Sequence, residues 1–237
     1  MPEPIILNWS GGKDCALALS LLRRDERFEV VALASGFCRE TDRIAIHEVR
    51  RELIRDQAAA LDIQLDEIDL PTKASNIEYE AGWSDYYSAC RSRGISHVAF
   101  GDLFLEDIRA YREQFVENLG LRCVFPIWGH ATDELARGMI RDGLRAVVCS
   151  IDPLRLASRF VGRLYDESLL AELPSHVDPC GENGEFHTFV FDGPEFVHPI
   201  KWQSGKVTRT TAVVSIELLS TASETIGRPV LMEEGTR

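Results

Sequence analysis

The sequence predicts an α/β fold, in which a mostly parallel sheet with helices on both faces is followed by a smaller α+β domain. Strand-like apolar runs alternate with helix-like segments over the first two-thirds of the 237 residues, and this alternation is typical of βαβ units. After residue 151 the alternation stops, and a loop rich in glycine and polar residues precedes further strand-like segments. The predicted domains cover residues 1–130 and 131–220, and residues 221–237 are expected to form a flexible tail.

The first predicted strand and helix enclose a glycine turn. The apolar residues 4–9 predict the strand, and the alanine- and leucine-rich residues 14–24 predict the helix. Asp14 in the first helical turn complements the helix dipole. The valine- and alanine-rich residues 29–34 then predict a second strand.

The next elements continue the same order. A row of side chains at four-residue spacing predicts a helix over residues 47–61, and residues 64–70 predict a third strand that Pro71 ends. Residues 77–93 predict a helix that Gly94 ends and whose aromatic face belongs to the core. This aromatic face consists of Tyr79, Trp83, Tyr86 and Tyr87.

Three strands and two helices complete the alternation. Strands are predicted at residues 97–102, 122–127 and 145–151, and helices at residues 107–119 and 132–141, with Thr132 as a candidate N-cap. Beyond them, residues 158–173 have mixed helical character with Asp166 as a candidate cap, and strands are predicted at residues 186–191 and 207–218.

The composition is that of a soluble globular protein, with 45% hydrophobic and 27% charged residues. The net charge of −12 disfavours a nucleic-acid backbone as the main partner. Six scattered cysteines without a C-x-x-C pair are typical of reduced thiols in a cytoplasmic protein. The sequence shows neither a signal-like N-terminus nor an apolar stretch of membrane-spanning length, so no membrane association is expected.

The glycine turn at residues 10–15 has the sequence Ser-Gly-Gly-Lys-Asp-Cys. Between a strand and a helix, glycines let backbone N–H groups approach phosphate oxygens, and the helix N-terminus adds partial positive charge. Lys13 can contribute a point charge and Ser10 a hydroxyl group. The turn lacks the G-x-x-x-x-G-K-[ST] pattern of Walker A, and the alternative interpretation is an ordinary turn built from small residues.

Other candidate binding residues follow from the position of the strand ends. Ligands of parallel sheets bind at the carboxyl ends of the strands. This edge is expected to bring Ala34, Ser35 and Gly36 together with Gly101 and Asp102. Gly101 would let a ligand approach the sheet, and Asp102 could hold Mg²⁺ or a ribose hydroxyl.

Two arginines follow on the next predicted helix. Arg109 and Arg112 lie three residues apart and therefore share one helix face. They could clamp a triphosphate or an acidic substrate. The alternative is a solvated helix face, on which neighbouring carboxylates pair with these arginines.

A second polar constellation lies on a glycine-rich turn in the C-terminal third. Glu182, Glu185 and His187 fall within six residues, and the period of two places Glu185 and His187 on the same side of a strand. Such a group could hold an amine or ammonium ion, bind Mg²⁺ or act in general acid–base catalysis. The alternative is a polar turn. Cys180 lacks an evident paired base, and His47 could cap a helix, bind substrate or lie at the surface.

Three stretches together resemble the diphthine–ammonia ligase-related family of PP-loop ATP pyrophosphatases. They are the glycine turn, residues 101–113 (Gly-Asp-Leu-Phe-Leu-Glu-Asp-Ile-Arg-Ala-Tyr-Arg-Glu) and residues 181–189 (Gly-Glu-Asn-Gly-Glu-Phe-His-Thr-Phe). The glycine turn resembles the family's pyrophosphate loop (PP-loop), S-G-G-x-D-S, with Cys15 in place of the last serine. Asn183 and His187 also depart from the commoner pattern of the diphthamide enzymes, and these departures resemble a bacterial branch.

The resemblance implies a HUP-type, Rossmann-like nucleotide-binding domain followed by a family-specific domain. It also implies an ATP-dependent amidoligase, which adenylates a carboxylate, amidates it with ammonia and releases AMP and pyrophosphate, with ATP and Mg²⁺ as cofactors. The acceptor would be a small-molecule or protein-borne carboxylate, other than diphthine in the bacterial branch. A homodimer is left open.

The resemblance also implies roles for individual residues. The implied nucleotide-binding residues are Ser10, Gly11, Gly12, Lys13, Asp14, Cys15, Ala34, Ser35, Gly101, Asp102, Arg109 and Arg112. The candidate catalytic residues are Lys13, Asp14, Glu182 and Glu185, the candidate substrate residues are His47, Glu182, Glu185 and His187, and the candidate metal ligands are Asp14 and Asp102. Two alternatives are a tRNA-thiolation ATPase, which the acidic balance and the missing C-x-x-C disfavour, and a nucleotide-binding sensor without ligase activity.

Overall fold

The computed structural model describes residues 1–72 and 74–221, and these residues form two sheets and six α-helices. The first sheet contains β1 (Glu3–Asn8), β2 (Phe28–Cys38), β3 (Arg43–Ile44), β4 (Leu65–Leu70), β5 (His97–Ala99) and β6 (Arg122–Val124). The second contains β7 (Arg145–Ile151), β8 (Phe186–Asp192), β9 (Trp202–Arg209) and β10 (Val214–Ser220). The helices are α1 (Lys13–Arg24), α2 (Arg51–Leu61), α3 (Asn76–Ser92), α4 (Glu106–Asn118), α5 (Thr132–Arg141) and α6 (Glu167–Glu172).

The first sheet is parallel except for the short strand β3. Strands β4, β2, β1, β5 and β6 lie side by side and point in the same direction, while β3 pairs antiparallel with the end of β2. Leu7 in β1 stands opposite Leu33 in β2 and Ala99 in β5. The carboxyl ends of the strands therefore meet at one edge, which places the loops that follow β1 and β5 next to each other.

Helices cover both faces of this sheet, as predicted. Ile5 and Leu7 pack in one core with helices α1 and α2, whereas Ile6 packs in the other with α3 and α4. This arrangement explains why β1 is apolar at successive positions, because a parallel strand covered on both faces buries every side chain.

The second sheet is antiparallel, in the order β8-β7-β10-β9. Its buried face joins the first core, since Val147 and Phe189 belong to the same hydrophobic cluster as Ile5 and Leu7. A backbone hydrogen bond also joins the two parts of the chain, because the Val190 N–H donates to the Gly11 carbonyl at 2.9 Å. The second sheet therefore supports the glycine turn directly.

The structure corrects the predicted strands of the C-terminal third. Residues 145–151 continue the alternating pattern of the first sheet, but they form β7 in the second sheet. The single predicted strand at residues 207–218 is two strands, β9 and β10. Between them, the Thr210 hydroxyl accepts the Val213 N–H at 2.9 Å and closes a turn that contains neither glycine nor proline.

Two predicted helix starts also change. The helix expected from residue 47 begins at Arg51, because Ile46 and Glu48 have φ angles of 68° and 59°, which a helix does not allow. Ala131 rather than Thr132 is the N-cap of α5, and the Thr132 hydroxyl instead donates to Asp178 Oδ2 at 2.6 Å. The predicted cap at Asp166 is confirmed, since its side chain accepts the Leu169 N–H at the start of α6.

Within residues 1–72 and 74–221, no helix combines the length and apolar character needed to cross a lipid bilayer. Apart from Thr221, the predicted flexible tail at residues 221–237 lies outside the described residues.

Candidate functional site

The glycine turn joins β1 to α1 in a conformation that needs both of its glycines. Gly11 has a φ of +80°, and a Cβ there would lie 2.6 Å from Ile54 Cδ1. A Cβ on Gly12 would lie 2.9 Å from His47 Cε1. Gly12 is the N-cap of α1 and has no capping side chain of its own, while the Lys13 N–H donates to the Thr188 hydroxyl at 3.1 Å. The start of the helix carries partial positive charge, which favours an anion.

Gln57 on α2 supports the glycine turn through hydrogen bonds. It was not among the site residues predicted from the sequence. Its side chain is fully buried and accepts the Trp9 indole N–H at 2.9 Å. Its amide nitrogen donates to the Gly11 carbonyl at 3.0 Å and to the Val190 carbonyl at 2.6 Å. The only sequence feature that distinguishes Gln57 is that it is a polar residue in the otherwise apolar row of the helix predicted over residues 47–61.

Ser10 and Cys15 interact with each other at the two ends of the turn. The Ser10 Oγ and Cys15 Sγ atoms are 3.3 Å apart, and the Cys15 thiol also points to the Asn8 carbonyl at 3.5 Å. Burial raises the pKa of this thiol. Cys15 therefore stabilises the turn as a neutral group.

Ala34 and Ser35 lie inside β2 and are fully buried. The Trp9 N–H donates to the Ala34 carbonyl at 2.8 Å, and the Ser35 hydroxyl donates to the Trp9 carbonyl at 2.7 Å. The Ala34 carbonyl and the Ser35 side chain thus fix Trp9, the residue before the glycine turn. Gly36, by contrast, lines a cavity at the sheet edge.

Lys13 points into the protein. Its side chain is only 2% exposed, and its ammonium group contacts Asp14 Oδ2 at 2.9 Å and the Cys180 carbonyl. The rings of Tyr165 and Phe186 enclose it, with centroids at 5.7 and 5.4 Å. Burial lowers the pKa of Lys13, but the nearby Asp14 carboxylate and Cys180 outweigh this effect and hold the pKa above its ordinary value.

Three carboxyl groups lie close together beside the turn. Asp14 comes from α1, Asp102 from the loop after β5, and Glu182 from the loop before β8. Burial, together with repulsion from Asp14 and Asp102, raises the pKa of Glu182 to about 7, although the Leu103 N–H opposes the shift. Burial is also the largest cause of the raised pKa values of Asp14 and Asp102.

Glu182 connects the two parts of the chain. Its Oε1 atom accepts the Leu103 N–H at 2.8 Å and the Phe104 N–H at 3.4 Å. Gly101, just before these residues, packs against α1, because a Cβ there would lie 3.0 Å from the Asp14 carbonyl carbon. This close approach of backbone to backbone brings Asp102 near Asp14.

The two predicted arginines do not converge. Arg112 contacts Asp102 Oδ2 at 2.8 Å and stacks on Phe100 at 4.4 Å. Arg109 contacts Glu113 at 2.8 Å and lies over Trp128 at 4.7 Å. Arg112 therefore faces the candidate site. Arg109 instead pairs with a neighbouring carboxylate, as expected for the alternative of a solvated helix face.

Asp14 and Asp102, the candidate metal ligands, are positioned to hold a cation that is also bound by ligands from outside the protein. Asp14 Oδ1 is buried without a hydrogen-bond partner, and Asp102 stands near it. Within the described chain, no three His, Cys, Asp or Glu residues are arranged to hold a metal ion by themselves. Mg²⁺ bound to nucleotide phosphates needs only one or two protein carboxylates, so Asp14 and Asp102 fit that ion.

Glu185 organises the loop before β8. It is 2% exposed, and its Oε1 atom accepts the Asp178 N–H and the Asn183 amide, both at 3.1 Å. Asp178, which the sequence analysis did not identify, accepts the Cys180 N–H at 2.8 Å and the Glu182 N–H at 3.3 Å. The loop is therefore ordered by its own carboxylates.

His47 and His187 pack together, although the sequence separates them by 140 positions. Their ring centroids are 4.7 Å apart, and His47 Nδ1 lies 3.2 Å from the Thr188 carbonyl. Burial lowers the pKa of His47 to about 4, and it lowers the pKa of His187 well below its usual range. Both rings are neutral near pH 7, so the Nδ1–H of His47 donates to Thr188 and leaves Nε2 as an acceptor.

A large cleft opens at the carboxyl edge of the first sheet. It consists of adjoining cavities of about 570 and about 400 Å³, and we call it the sheet-edge cleft. Both cavities are lined by Asn8, Ile46, Tyr79, Trp83 and Arg112. Trp83 and Tyr87 are buried as predicted, but Tyr79 is 37% exposed and faces the cleft. A cleft of this size accommodates a nucleotide.

Comparison with known proteins gives matches along most of the chain. The family model for the diphthamide synthase N-terminal domain matches residues 4–123, and that for the C-terminal domain matches residues 131–219. A diphthine–ammonia ligase of Schizosaccharomyces pombe is 26% identical over 206 residues, which cover 79% of this chain and 34% of the relative. A Homo sapiens protein of the same name is 28% identical over 118 residues, which cover 48% of this chain and 44% of the relative.

A Bos taurus diphthine–ammonia ligase gives a similar match, with 27% identity over 123 residues that cover 50% of this chain and 46% of the relative. The chain thus spans between about a third and just under half of the length of these relatives. The glycine turn, Asp102 and Glu182 all fall inside the segments that the two family models match. Since the N-terminal family model alone covers just over half of its residues, the chain belongs to the diphthamide synthase family.

Proposed function

We propose that this protein is an ATP-dependent amidoligase, which converts a carboxylate to an amide with ammonia and releases AMP and pyrophosphate. The observation that carries the proposal is the approach of Asp14, Asp102 and Glu182 beside the glycine turn, where Glu182 accepts the Leu103 N–H at 2.8 Å and Gly101 packs against the Asp14 backbone. These carboxylates come from both parts of the chain and lie next to the N-terminus of α1, whose partial positive charge favours an anion. The relatives named diphthine–ammonia ligase support the ligation of ammonia.

The reaction has two steps. An oxygen of the acceptor carboxylate attacks the α-phosphorus of ATP, the bond from this phosphorus to the bridging oxygen breaks, and pyrophosphate leaves with an acyl-adenylate remaining. The nitrogen of ammonia then attacks the acyl carbon, the bond to the AMP oxygen breaks, and the amide, AMP and one proton are released.

The glycine turn is suited to the leaving pyrophosphate. The proposed ligands are the Ser10 hydroxyl and the N–H groups in the first turn of α1 after Lys13, whose own N–H donates to the Thr188 hydroxyl. Lys13 is proposed to act as a positioning residue, because its ammonium group ties Asp14 to the Cys180 carbonyl instead of facing the cleft. Arg112, which lines the cleft and contacts Asp102, is the proposed partner of the nucleotide phosphates.

Asp14 and Asp102 would hold Mg²⁺, which supplies positive charge against the phosphate oxygens when it is bound. Glu182 is proposed to accept a proton from ammonium. Ammonium must lose a proton and become ammonia before its nitrogen can attack, and a carboxyl group with a pKa of about 7 can take up and release protons near neutral pH. Glu185 would keep this loop in place, since its carboxylate binds the backbone of the loop.

The experiment that tests this proposal is product analysis with ATP labelled at the α-phosphate, Mg²⁺, ammonium and the small-molecule fraction of a cell extract. Label is expected in AMP, and Asp14→Asn is expected to reduce AMP formation by roughly a hundredfold or more. Asp142→Asn, an exposed aspartate after α5, is the matched control and should leave the rate unchanged. Label in ADP would refute the proposal.

A further inference from the structure

A separate cavity of about 330 Å³ lies at the end of β7, in the second part of the chain. We call it the β7 cavity. Its polar lining consists of Ser150, Asp152, Arg155, Asn183 and His187. The volume suits a molecule about as large as an amino acid.

The β7 cavity adjoins the sheet-edge cleft at one residue. Ile46 lines this cavity and both parts of the cleft. Its φ of 68° is unfavourable for a β-branched residue. The Ser150 hydroxyl holds it there by donating to the Ile46 carbonyl at 2.6 Å. Residues held in such backbone conformations cluster at functional sites.

His187 connects the cavity to the glycine turn. Its ring packs on His47 at 4.7 Å, and the His47 ring lies against Gly12. The next residue, Thr188, accepts the Lys13 N–H at 3.1 Å. The packed rings of His187 and His47 therefore lie between the β7 cavity and the start of α1.

One cation and one anion stand together in the wall of the cavity. Arg155 Nε and Asp152 Oδ2 are 3.4 Å apart, with side chains 52% and 28% exposed. The Asp152 N–H donates to the Glu185 carbonyl at 3.0 Å, which ties the pair to the loop that carries Glu182. A loose, partly exposed pair keeps hydrogen-bonding capacity on both groups, so each can bind a ligand of opposite charge.

We propose that the β7 cavity binds the acceptor, and that the acceptor is a small acidic amino acid. Its ammonium group would pair with Asp152, its α-carboxylate with Arg155, and its side-chain carboxylate would extend past Ile46 to the glycine turn. This inference rests on the proposed function and assigns the substrate class to the same site. The balanced steps are those given above, with the side-chain carboxylate as the attacking group.

The charges of the cavity select for this class. A simple dicarboxylate would pair with Arg155 but place no positive charge against Asp152. An amine without an α-carboxylate would leave Arg155 without a partner. Because an unpaired charge in a partly buried site weakens binding, only a ligand with both groups matches the cavity fully.

Binding without chemistry tests the inference directly. The full chain is saturated with a non-hydrolysable ATP analogue and titrated in a calorimeter with L-aspartate, L-glutamate and L-2-aminoadipate. At least one of them is expected to bind. Its analogues that lack the amine or the α-carboxylate, for example glutarate and 4-aminobutyrate for L-glutamate, are expected to bind at least about tenfold more weakly.

Two variants assign the binding to the β7 cavity. Arg155→Met and Asp152→Asn are each expected to reduce amino-acid affinity at least about tenfold while the affinity for the ATP analogue stays unchanged. Arg141→Met is the matched control, because Arg141 also lies 3.4 Å from a neighbouring aspartate, Asp142, but outside the cavity. The control should bind both ligands like the wild type.

The outcomes separate this inference from the proposed function. The inference is overturned if the ATP analogue binds and none of the three amino acids does, if glutarate binds as tightly as L-glutamate, or if Arg155→Met leaves affinity unchanged. The proposed function fails separately if labelled ATP gives ADP, whatever the calorimeter records.

Discussion

Glu182 is the residue whose protonation gives the clearest pH signature. Its pKa is about 7 in the folded protein, whereas the ordinary value for a glutamate, which we take for the unfolded chain, is 4.5. Between these values the folded state keeps a proton that the unfolded state has lost, so the contribution of this residue to the free energy of unfolding falls as pH rises from 4.5 to 7. Glu182→Gln removes the effect and can still accept the Leu103 N–H.

Relative to the wild type, Glu182→Gln is therefore expected to gain stability between pH 4.5 and pH 7. The expected gain is about 1 kcal/mol, because solvent screens a partly exposed group. Urea unfolding at several pH values measures it. Glu117→Gln, at an exposed position of α4, is the control and should show no such trend. A stability difference independent of pH would contradict the assignment.

Gln57 is the residue on which the shape of the glycine turn depends most. Gln57→Leu keeps the volume but leaves the Trp9 indole N–H and the Val190 carbonyl without their partner. The expected loss in the free energy of unfolding is about 2–4 kcal/mol, with weaker ATP binding. Gln64→Leu, an exposed glutamine before β4, should change stability by less than about 0.5 kcal/mol in the same urea experiment. Equal effects of the two substitutions would show that Gln57 does not hold the turn.

At the scale of the elements, the contact between the end of β5 and α1 decides where Asp102 lies. Gly101→Ala would place a Cβ 3.0–3.1 Å from backbone atoms of Asp14 and Cys15, so the two elements must separate. The expected cost is about 1–3 kcal/mol, with a raised KM for ATP.

The matched substitution for Gly101→Ala is Gly138→Ala in α5, where the nearest atom would be Arg141 Nη2 at 3.7 Å. Alanine favours a helix over glycine, so this variant should be more stable than the wild type by about 0.5–1 kcal/mol. Thermal unfolding compares the two. We expect the two substitutions to change stability in opposite directions. A Gly101→Ala variant that is more stable than the wild type would rule out the tight contact between the end of β5 and α1.

The local elements of the first sheet could be predicted because their signals are local. The apolar residues of β1, the glycines of the turn and the period of α1 lie next to each other in the chain. The position of β7 could not be predicted, because its sequence is that of any buried strand. Which sheet it joins depends on partner strands such as β8, which begins more than 30 residues later. Pairing between distant strands leaves no mark in a short window.

The candidate site divides in the same way. Asp102, Glu182 and Arg112 were predictable as polar groups at strand ends and turns, and the structure brings them near the glycine turn. The direction of the Lys13 side chain was not predictable, because it depends on the Cys180 carbonyl and the ring of Phe186, which both come from the second part of the chain. Side-chain direction is set by tertiary contacts that a motif does not contain.

At the scale of the whole molecule, the shared core predicts a single unfolding transition. Val147 and Phe189 of the second sheet pack in one cluster with Ile5 and Leu53. Urea curves from tryptophan fluorescence and from circular dichroism are therefore expected to coincide. A fragment of residues 1–130 would expose this cluster and should not unfold cooperatively. Two separate transitions, or a stably folded fragment, would contradict the shared core.

The joining of the two sheets also explains why the proposed chemistry needs both. The glycine turn is the proposed pyrophosphate site, and the loop before β8 brings Glu182 towards it. The central claim is that ATP cleavage and amide formation are one reaction. The most direct test counts AMP and ¹⁵N-labelled amide formed from ATP, ¹⁵N-ammonium and the small-molecule fraction of a cell extract. One labelled amide per AMP is the expected result, whereas AMP formed without labelled amide, at a rate independent of ammonium, would contradict the account.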